Sequence, residues 1–474
     1  MRTKFTYFSK LIFLSAIFAF TCSVSAVDII IDGEKRFQTI EGFGTCLNSW
    51  TRRFTDLYRT EAFQKIYVRQ VGCNMLRVNM WGPVFEKPAE DWTEISYKDF
   101  DFTDRNDRAQ VFIDFGKGIL KLNPDIRIIG TVWSPPAWMK MNMSITDKKS
   151  GAIRANDYRD FTNRVDPKYF MHFCKWMVEY VKYHDNQGVS FYAVSPGNEV
   201  QFTQTFESCV WDGKDFANIV IMLREMLDSE GYKNVKIFGP ETMTSHMYEG
   251  GTGTYVQIIK NDPKALAALD IFATHGYEDG VKGEMEANSS RTFWELVKDT
   301  NKPFWITEGG TGDHTWPAPI KNGIGNALHN ALAAGNCSAF LPWQVSEPSE
   351  TEHAFMVMDE FTPKSYTFMH YSRFIKPGAL RIEATPGFSE VQVSAFLHEQ
   401  NNNLTIIAIN PTGQEHELNM TLENLKGITS LKVLRTSSTE NLAEIDEIKV
   451  IDNKASFIMI PQSIVTFSGK IAKI

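Results

Sequence analysis

Glu199 and Glu308 each close a short apolar run, Phe191-Tyr-Ala-Val-Ser-Pro-Gly-Asn-Glu199 and Pro303-Phe-Trp-Ile-Thr-Glu308. A carboxylate placed where a buried strand opens to solvent is half desolvated, and two such groups in one cleft are driven toward different proton affinities. Cleavage of a glycosidic bond needs that pairing: one acid protonates the leaving oxygen while an ionised carboxylate attacks the sugar carbon.

The elements that must position this pair can be counted. Between residues 39 and 374, short apolar runs alternate with stretches of helical period, the pattern of repeated βα units. The runs are Thr39 to Gly44, Met75 to Asn79, Arg127 to Trp133, Phe191 to Ser195, Lys236 to Gly239, Asp270 to His275, Pro303 to Thr307 and Ala339 to Trp343. Helical stretches lie between them, such as Arg108 to Leu122 with Val111, Phe112, Phe115, Ile119 and Leu122 on one face, and Tyr169 to Tyr183 with Phe173, Trp176, Met177 and Tyr180. Eight units in about 335 residues predict an α/β fold, a (β/α)8 TIM barrel with long loops over residues 39–374. After Phe374 only strand-like runs remain, so residues 375–474 read as an all-β side domain, a β-sandwich. Residues 27–38 supply an N-terminal strand that joins this sheet, and no low-complexity linker separates the two domains, which predicts close packing.

Strand C-termini of such a barrel face the site, so the residue after each run is the one to inspect. They are Arg77 and Asn79, Trp133, Asn198 and Glu199, Glu241, His275 and Tyr277, Glu308, then Trp343 and Gln344. Singly, each has an ordinary structural reading: an ion pair for Arg77, rim packing for His275. Their convergence on one mouth favours a site. Runs four and seven face each other across the barrel, which sets Glu199 against Glu308. Arg77 by charge and Tyr277 by a hydrogen bond are expected to keep Glu308 ionised with a lowered pKa, leaving Glu199 protonated. Trp50, Trp81, Trp133 and Trp343 offer flat faces for stacking on pyranose rings, although most of the 11 tryptophans fill the core.

Residues 1–26 read as a signal peptide: Arg2, Lys4 and Lys10 with no acid, the apolar Leu11 to Phe20, then Val24-Ser25-Ala26. The apolar run is too short to span a bilayer, and Ala19-Phe20-Thr21 lacks the small residue expected beside a lipid-modified Cys22. The expected location is secreted, periplasmic or extracellular. Without residues 1–26 the chain holds 46 basic against 57 acidic side chains, a net charge of −11 that repels nucleic acid. The five cysteines that remain are scattered, with no metal-ligand spacing and no disulfide framework. The reading therefore includes no metal, no cofactor, no stable partner and a monomer.

Over nearly the whole mature chain the sequence resembles glycoside hydrolase family 30, within the clan of (β/α)8 retaining glycosidases that includes glucosylceramidases, endo-xylanases and β-1,6-glucanases. The motifs are Ile40-Glu-Gly-Phe-Gly44, Leu76-Arg-Val-Asn79, Trp133-Ser-Pro-Pro-Ala-Trp-Met-Lys140, Asn198-Glu199, Thr307-Glu-Gly309 and His370-Tyr-Ser-Arg-Phe-Ile-Lys-Pro-Gly-Ala-Leu-Arg-Ile382. The resemblance implies that Glu199 is the general acid/base, Glu308 the nucleophile, Asn198 a ligand of the sugar 2-hydroxyl and the terminal sheet the family's side domain. The expected substrate is a β-linked polysaccharide or glycoside, with xylanase-like endo-action ahead of β-1,6-glucanase or exo-β-glucosidase action; a non-catalytic glycan-binding protein is the reading from another class. Two departures matter. Where the family has Gln-Asn-Glu-Pro, this chain has Gly197-Asn-Glu-Val200, and no proline fixes the loop after the acid/base. Family xylanases that need a glucuronic acid branch pair it with an arginine after strand eight, whereas Val345 to Met358 holds Glu347, Glu350 and Glu352 and no arginine. That loop is expected to repel an anionic branch.

Overall fold

In the computed structural model, residues 25–47, 52–80, 88–101, 108–147, 162–201, 203–244, 252–279, 282–284 and 286–472 are described. Residues 1–24, and with them most of the expected signal peptide and Cys22, lie outside the described residues, as do Trp50 and Trp81.

The chain enters through β1 (Ser25–Thr39) and then builds β2 (Gly42–Leu47), β3 (Met75–Asn79), β4 (Arg127–Thr131), β5 (Ala193–Ser195), β6 (Lys236–Thr244) and β7 (Ile271–Asp279). A short β8 (Lys282–Glu284) turns back on β7 before β9 (Phe304–Glu308) and β10 (Ala339–Phe340). Strands β2 to β7, β9 and β10 pair in parallel, and β10 returns to β2, so the eight-stranded barrel is closed. Two strand ends extend beyond their apolar runs: β6 and β7 run on past Gly239 and His275 because each pairs with the other as far as Thr244 and Tyr277. Inside the barrel, small Ala193, Ala273 and Ala339 alternate with Met75, Ile129, Phe238 and Trp305, a filled core and not a pore. At the N-terminal end, Glu41 accepts from Trp305 Nε1 at 2.7 Å and pairs with Arg127 at 3.3 Å.

The helix Arg108–Leu122 forms as its periodicity predicts, and Val111, Phe112, Phe115 and Ile119 are buried against the barrel. The helix Phe170–Asn186 buries Phe173, Trp176, Met177 and Tyr180. It follows a 3-10 turn that Pro167 opens and Asp166 caps, and it runs about one turn past Tyr183 to Asn186, burying His184 as well.

A hairpin of β11 (Met356–Val357) and β12 (Glu360–Phe361) follows the barrel. Beyond it lie β13 (Leu380–Thr385), β14 (Gln392–His398), β15 (Asn403–Asn410), β16 (His416–Glu423), β17 (Ser430–Thr436), β18 (Ala443–Lys449), β19 (Lys454–Met459) and β20 (Ser463–Lys470). They form one hydrogen-bonded sheet in the order β18-β17-β20-β15-β14-β13-β1-β16-β19, which wraps its own core of Ile29, Ile31, Ile406, Leu418, Val433 and Phe467. β1 lies parallel to β16 and antiparallel to β13. The sequence did not reveal β18, whose Glu444, Asp446 and Glu447 leave it largely exposed at the sheet's edge. His370 ties the two domains together: its buried ring nitrogens meet Thr466 Oγ1 at 2.8 Å and Thr436 Oγ1 at 2.9 Å.

Candidate active site

The barrel mouth gathers Arg77, Asn198, Glu199, Glu241, His275, Tyr277 and Glu308, all buried. Arg77 is the hub, because its planar fork reaches three acceptors at once. Nε donates to Glu241 Oε1 at 3.0 Å, Nη1 to Glu308 Oε1 at 2.7 Å and Nη2 to Asn198 Oδ1 at 2.8 Å. Its guanidinium also lies 4.6 Å from the Trp133 ring centroid. That ring face is therefore used by a cation, and Trp133 is buried, which corrects its expected role as an open stacking platform. Trp343, half-buried, sits 6.1 Å from Trp133 and is the described tryptophan that borders the mouth.

His275 stands between the two carboxylates that the sequence singled out. Its Nδ1 is 3.1 Å from Glu199 Oε1 and 3.3 Å from Glu308 Oε2. Tyr277 donates its hydroxyl to Glu308 Oε2 at 3.3 Å, as expected. The nearest donor atoms of Glu199, His275 and Glu308 all lie within 4.8 Å of one another. Among the described residues this is the group close enough to hold a cation, and a protonated imidazole already occupies that place.

The electrostatics follow from burial. Burial by itself lowers His275, but the Glu308 charge, with Glu199 and Glu241, raises it to about 9, so the ring is a cation at neutral pH. Burial pushes Glu241 up, and Arg77 with His275 outweighs it and holds the carboxyl at about 2. For Glu308, burial is the strongest influence and the net direction is upward, with His275 and Arg77 pulling down and Glu199 pushing up. The expectation of a lowered Glu308 is thus overturned: desolvation in the closed mouth exceeds the help from its cations.

The loop after Glu199 is held without proline. Val200 is fully buried, and its carbonyl accepts from Trp211 N at 2.9 Å. A Cβ on Gly197 would come within 2.7 Å of Val200 Cγ1 and 3.0 Å of Trp211, so glycine is what lets this loop close. Glu199 itself takes a left-handed backbone, φ 47°, with its N–H donated to Glu241 O at 2.9 Å, and Glu241 likewise sits at φ 52°. Strain at two adjoining carboxylate positions is the kind a site retains.

The strand-end reading named Glu241 without giving it a role, and it missed Gln204. Glu241 ends an apolar run and follows Gly239-Pro240, so the strand-end rule that found Glu199 also reaches it. Gln204, whose Nε2 donates to Glu199 Oε2 at 2.5 Å, comes from an irregular loop and left no sequence signal.

A closed parallel barrel with two carboxylates meeting at its C-terminal mouth is the framework of a barrel glycosidase. The family model described as glycosyl hydrolase family 59 matches residues 75–361, more than half of the chain, so the chain belongs to the glycoside hydrolases, and its relatives and structural neighbours make it family 30-like. Glucuronoxylanase XynC of Bacillus subtilis (strain 168) is 24% identical over 458 residues, covering 94% of this chain and 92% of its own. Putative glucosylceramidase 1 of Caenorhabditis elegans is 21% identical over 412 residues, covering 80% and 75%. The solved family 30 subfamily 8 xylanase Xyn30A of Clostridium acetobutylicum shares the fold at a TM-score of 0.73 and 21% identity, over 94% of this chain and 99% of that one.

Proposed function

We propose that this glycosidase cleaves a β-linked polysaccharide from within the chain, in the manner of a xylanase, by a two-step retaining mechanism. The observation that carries the mechanism is the close approach of the two carboxylates, with one oxygen of Glu199 within 4.8 Å of one oxygen of Glu308. Double displacement works at about 5–5.5 Å, whereas inversion needs about 6.5–9.5 Å to admit water. Glu308 attacks the anomeric carbon as the glycosidic bond breaks, and Glu199 gives its proton to the leaving oxygen. Water then attacks the glycosyl-enzyme, its proton returns to Glu199, and Glu308 leaves. The charges support this starting state: with Arg77 and His275 cationic and Glu241 ionised, the cluster is neutral when Glu199 and Glu308 together hold one proton. Asn198, whose Oδ1 accepts from Arg77, is the ligand of the sugar 2-hydroxyl in this reading.

The full-length likeness to a glucuronoxylanase favours xylan as the polymer class. The substrate near the loop after β10 is neutral in this reading. Glu347 there is held by Gln344 Nε2 at 2.7 Å and Thr351 Oγ1 at 2.9 Å, while Glu350 and Glu352 are exposed. Assays on xylan before and after enzymatic removal of its glucuronic acid branches, with β-1,6-glucan and aryl β-glucosides alongside and product sizes measured, test both points. Debranched xylan is expected to be cut at least as fast, into oligomers. Strict dependence on the acidic branch sinks the neutral-site reading, and release of monosaccharide alone, or preference for β-1,6-glucan, sinks the xylanase reading.

The chain is further proposed to act outside the cytoplasm, on the strength of residues 1–26. Cleavage after Ala26 removes two residues of β1 and keeps its pairing from Val27 with Leu418 onward. N-terminal sequencing of the exported protein is expected to start at Val27; an acylated Cys22 or an intact Met1 contradicts this.

A further inference from the structure

Gln204 is only 3% exposed, and its amide is half used: Nε2 donates to Glu199 Oε2 at 2.5 Å, while Oε1 has no hydrogen-bond partner among the described residues. A buried acceptor left unpaired gives up its hydration with no hydrogen bond in return, so the arrangement calls for a reason. The backbone at Gln204 is fixed from both sides. Its N–H donates to Ser208 Oγ at 3.0 Å and its carbonyl accepts from Asp147 N at 3.0 Å. Ser208 is held in turn by Asn163 Nδ2 at 2.9 Å and, at its carbonyl, by Lys140 Nζ at 2.6 Å. With the main chain pinned and the side chain buried, rotation of the amide about its last bond is the motion that exchanges Nε2 for Oε1 without moving the residue.

We propose that Gln204 is a positioning residue that holds Glu199 in both of its protonation states, an inference that rests on Glu199 being the acid/base. When Glu199 is ionised, Nε2–H donates to Oε2. When Glu199 carries its proton on Oε2, a half-turn of the amide brings the otherwise unpaired Oε1 to the same place as acceptor. His275 stays on the other oxygen throughout, so the carboxyl plane does not swing. Either orientation satisfies one end of the amide and leaves the other bare, which keeps the two states close in energy. No proton passes to Gln204: in the first step the Oε2 hydroxyl turns from Gln204 Oε1 to the glycosidic oxygen, which takes the proton as its bond to the sugar breaks, and in the second the attacking water returns a proton to Oε2.

The test is kinetic, with two β-glycosides that differ in their need for an acid: one with a poor leaving group and a dinitrophenyl glycoside that leaves unaided. General acid/base catalysis contributes about 10²–10⁴-fold, and Gln204→Leu is expected to forfeit about 10–100-fold of it in kcat/KM on the poor leaving group. On the dinitrophenyl glycoside kcat/KM is unchanged while kcat falls, because hydrolysis of the glycosyl-enzyme still needs the base. The basic limb of the pH profile keeps its position, since both protonation states lose the same support. Gln204→Asn, which keeps an amide one methylene short, should behave alike and decides the matter if the leucine variant does not fold. Equal loss of kcat/KM on both substrates overturns the proposal as general distortion. A basic limb displaced to higher pH overturns the two-state part, since it marks a donor to the ionised form alone. Glu199→Ala, run in parallel, must show the leaving-group split; if it does not, the acid/base assignment itself fails.

Discussion

Replacing Glu308 by glutamine is expected to lower kcat by several orders of magnitude while the protein stays folded. The amide keeps the shape of the carboxyl and still accepts from Arg77 Nη1, now 2.7 Å from Glu308 Oε1, but it cannot form an ester with the anomeric carbon. The loss falls on kcat more than on KM, because the bond it removes exists only beyond the ground state. Wild-type enzyme should release the β-anomer first from a β-linked substrate, as followed by NMR. In Glu308→Ala the vacated space admits azide, which should restore turnover of an activated substrate and give the α-glycosyl azide. Near-normal activity in Glu308→Gln, or labelling of a different residue by a mechanism-based fluorosugar, removes Glu308 from the role.

The same two carboxylates were legible in the sequence because strand chemistry is local. An apolar run of five or six residues declares a buried strand, and the first polar residue after it is fixed in space by the barrel's closure. Arg77, Asn198, His275, Tyr277 and Glu241 were visible on that ground. What sequence could not supply was the balance of opposing influences. Opposite charge beside Glu308 was legible; that Glu308 is buried deeply enough for desolvation to exceed it was not. Nor was the use of the Trp133 face by Arg77, since both sides of that contact come from different strands. Gln204 escaped for a further reason: its position follows from the pairing of two loops, Asp147 N to Gln204 O and Ser208 N to Ile145 O, which no periodicity encodes. The edge strand β18 escaped because exposed strands carry no apolar run.

Arg77→Leu should cost both stability and activity, with opposite demands on pH that make the effect diagnostic. Removing one partner from a buried ion pair costs about 3–5 kcal/mol because the other charge is left uncompensated, and here two buried carboxylates, Glu241 and Glu308, lose the same cation. Glu241 is held at about 2 against an ordinary 4.5, so its ionisation stabilises the wild-type fold above pH 4.5, and that contribution is lost as pH falls toward 2. His275 is raised to about 9 from 6.5, so its contribution is complete below pH 6.5 and is lost as pH rises through 9. Between pH 4.5 and 6.5 both are present, and the wild-type melting temperature should gain its largest share from this cluster there. In the variant the Glu241 contribution disappears, so the gap in melting temperature should be wide at pH 6 and close as pH approaches 2. Activity moves the other way along the axis: without Arg77 the Glu308 carboxyl rises further, and the acid limb of kcat/KM shifts to higher pH. Arg77→Lys keeps the charge but not the three-way fork, so it should retain most of the pH dependence of stability while losing the orientation of Asn198. A melting difference that is the same at pH 3 and pH 6, together with an unmoved acid limb, shows Arg77 to be a packing residue and removes it from the electrostatic account of the site.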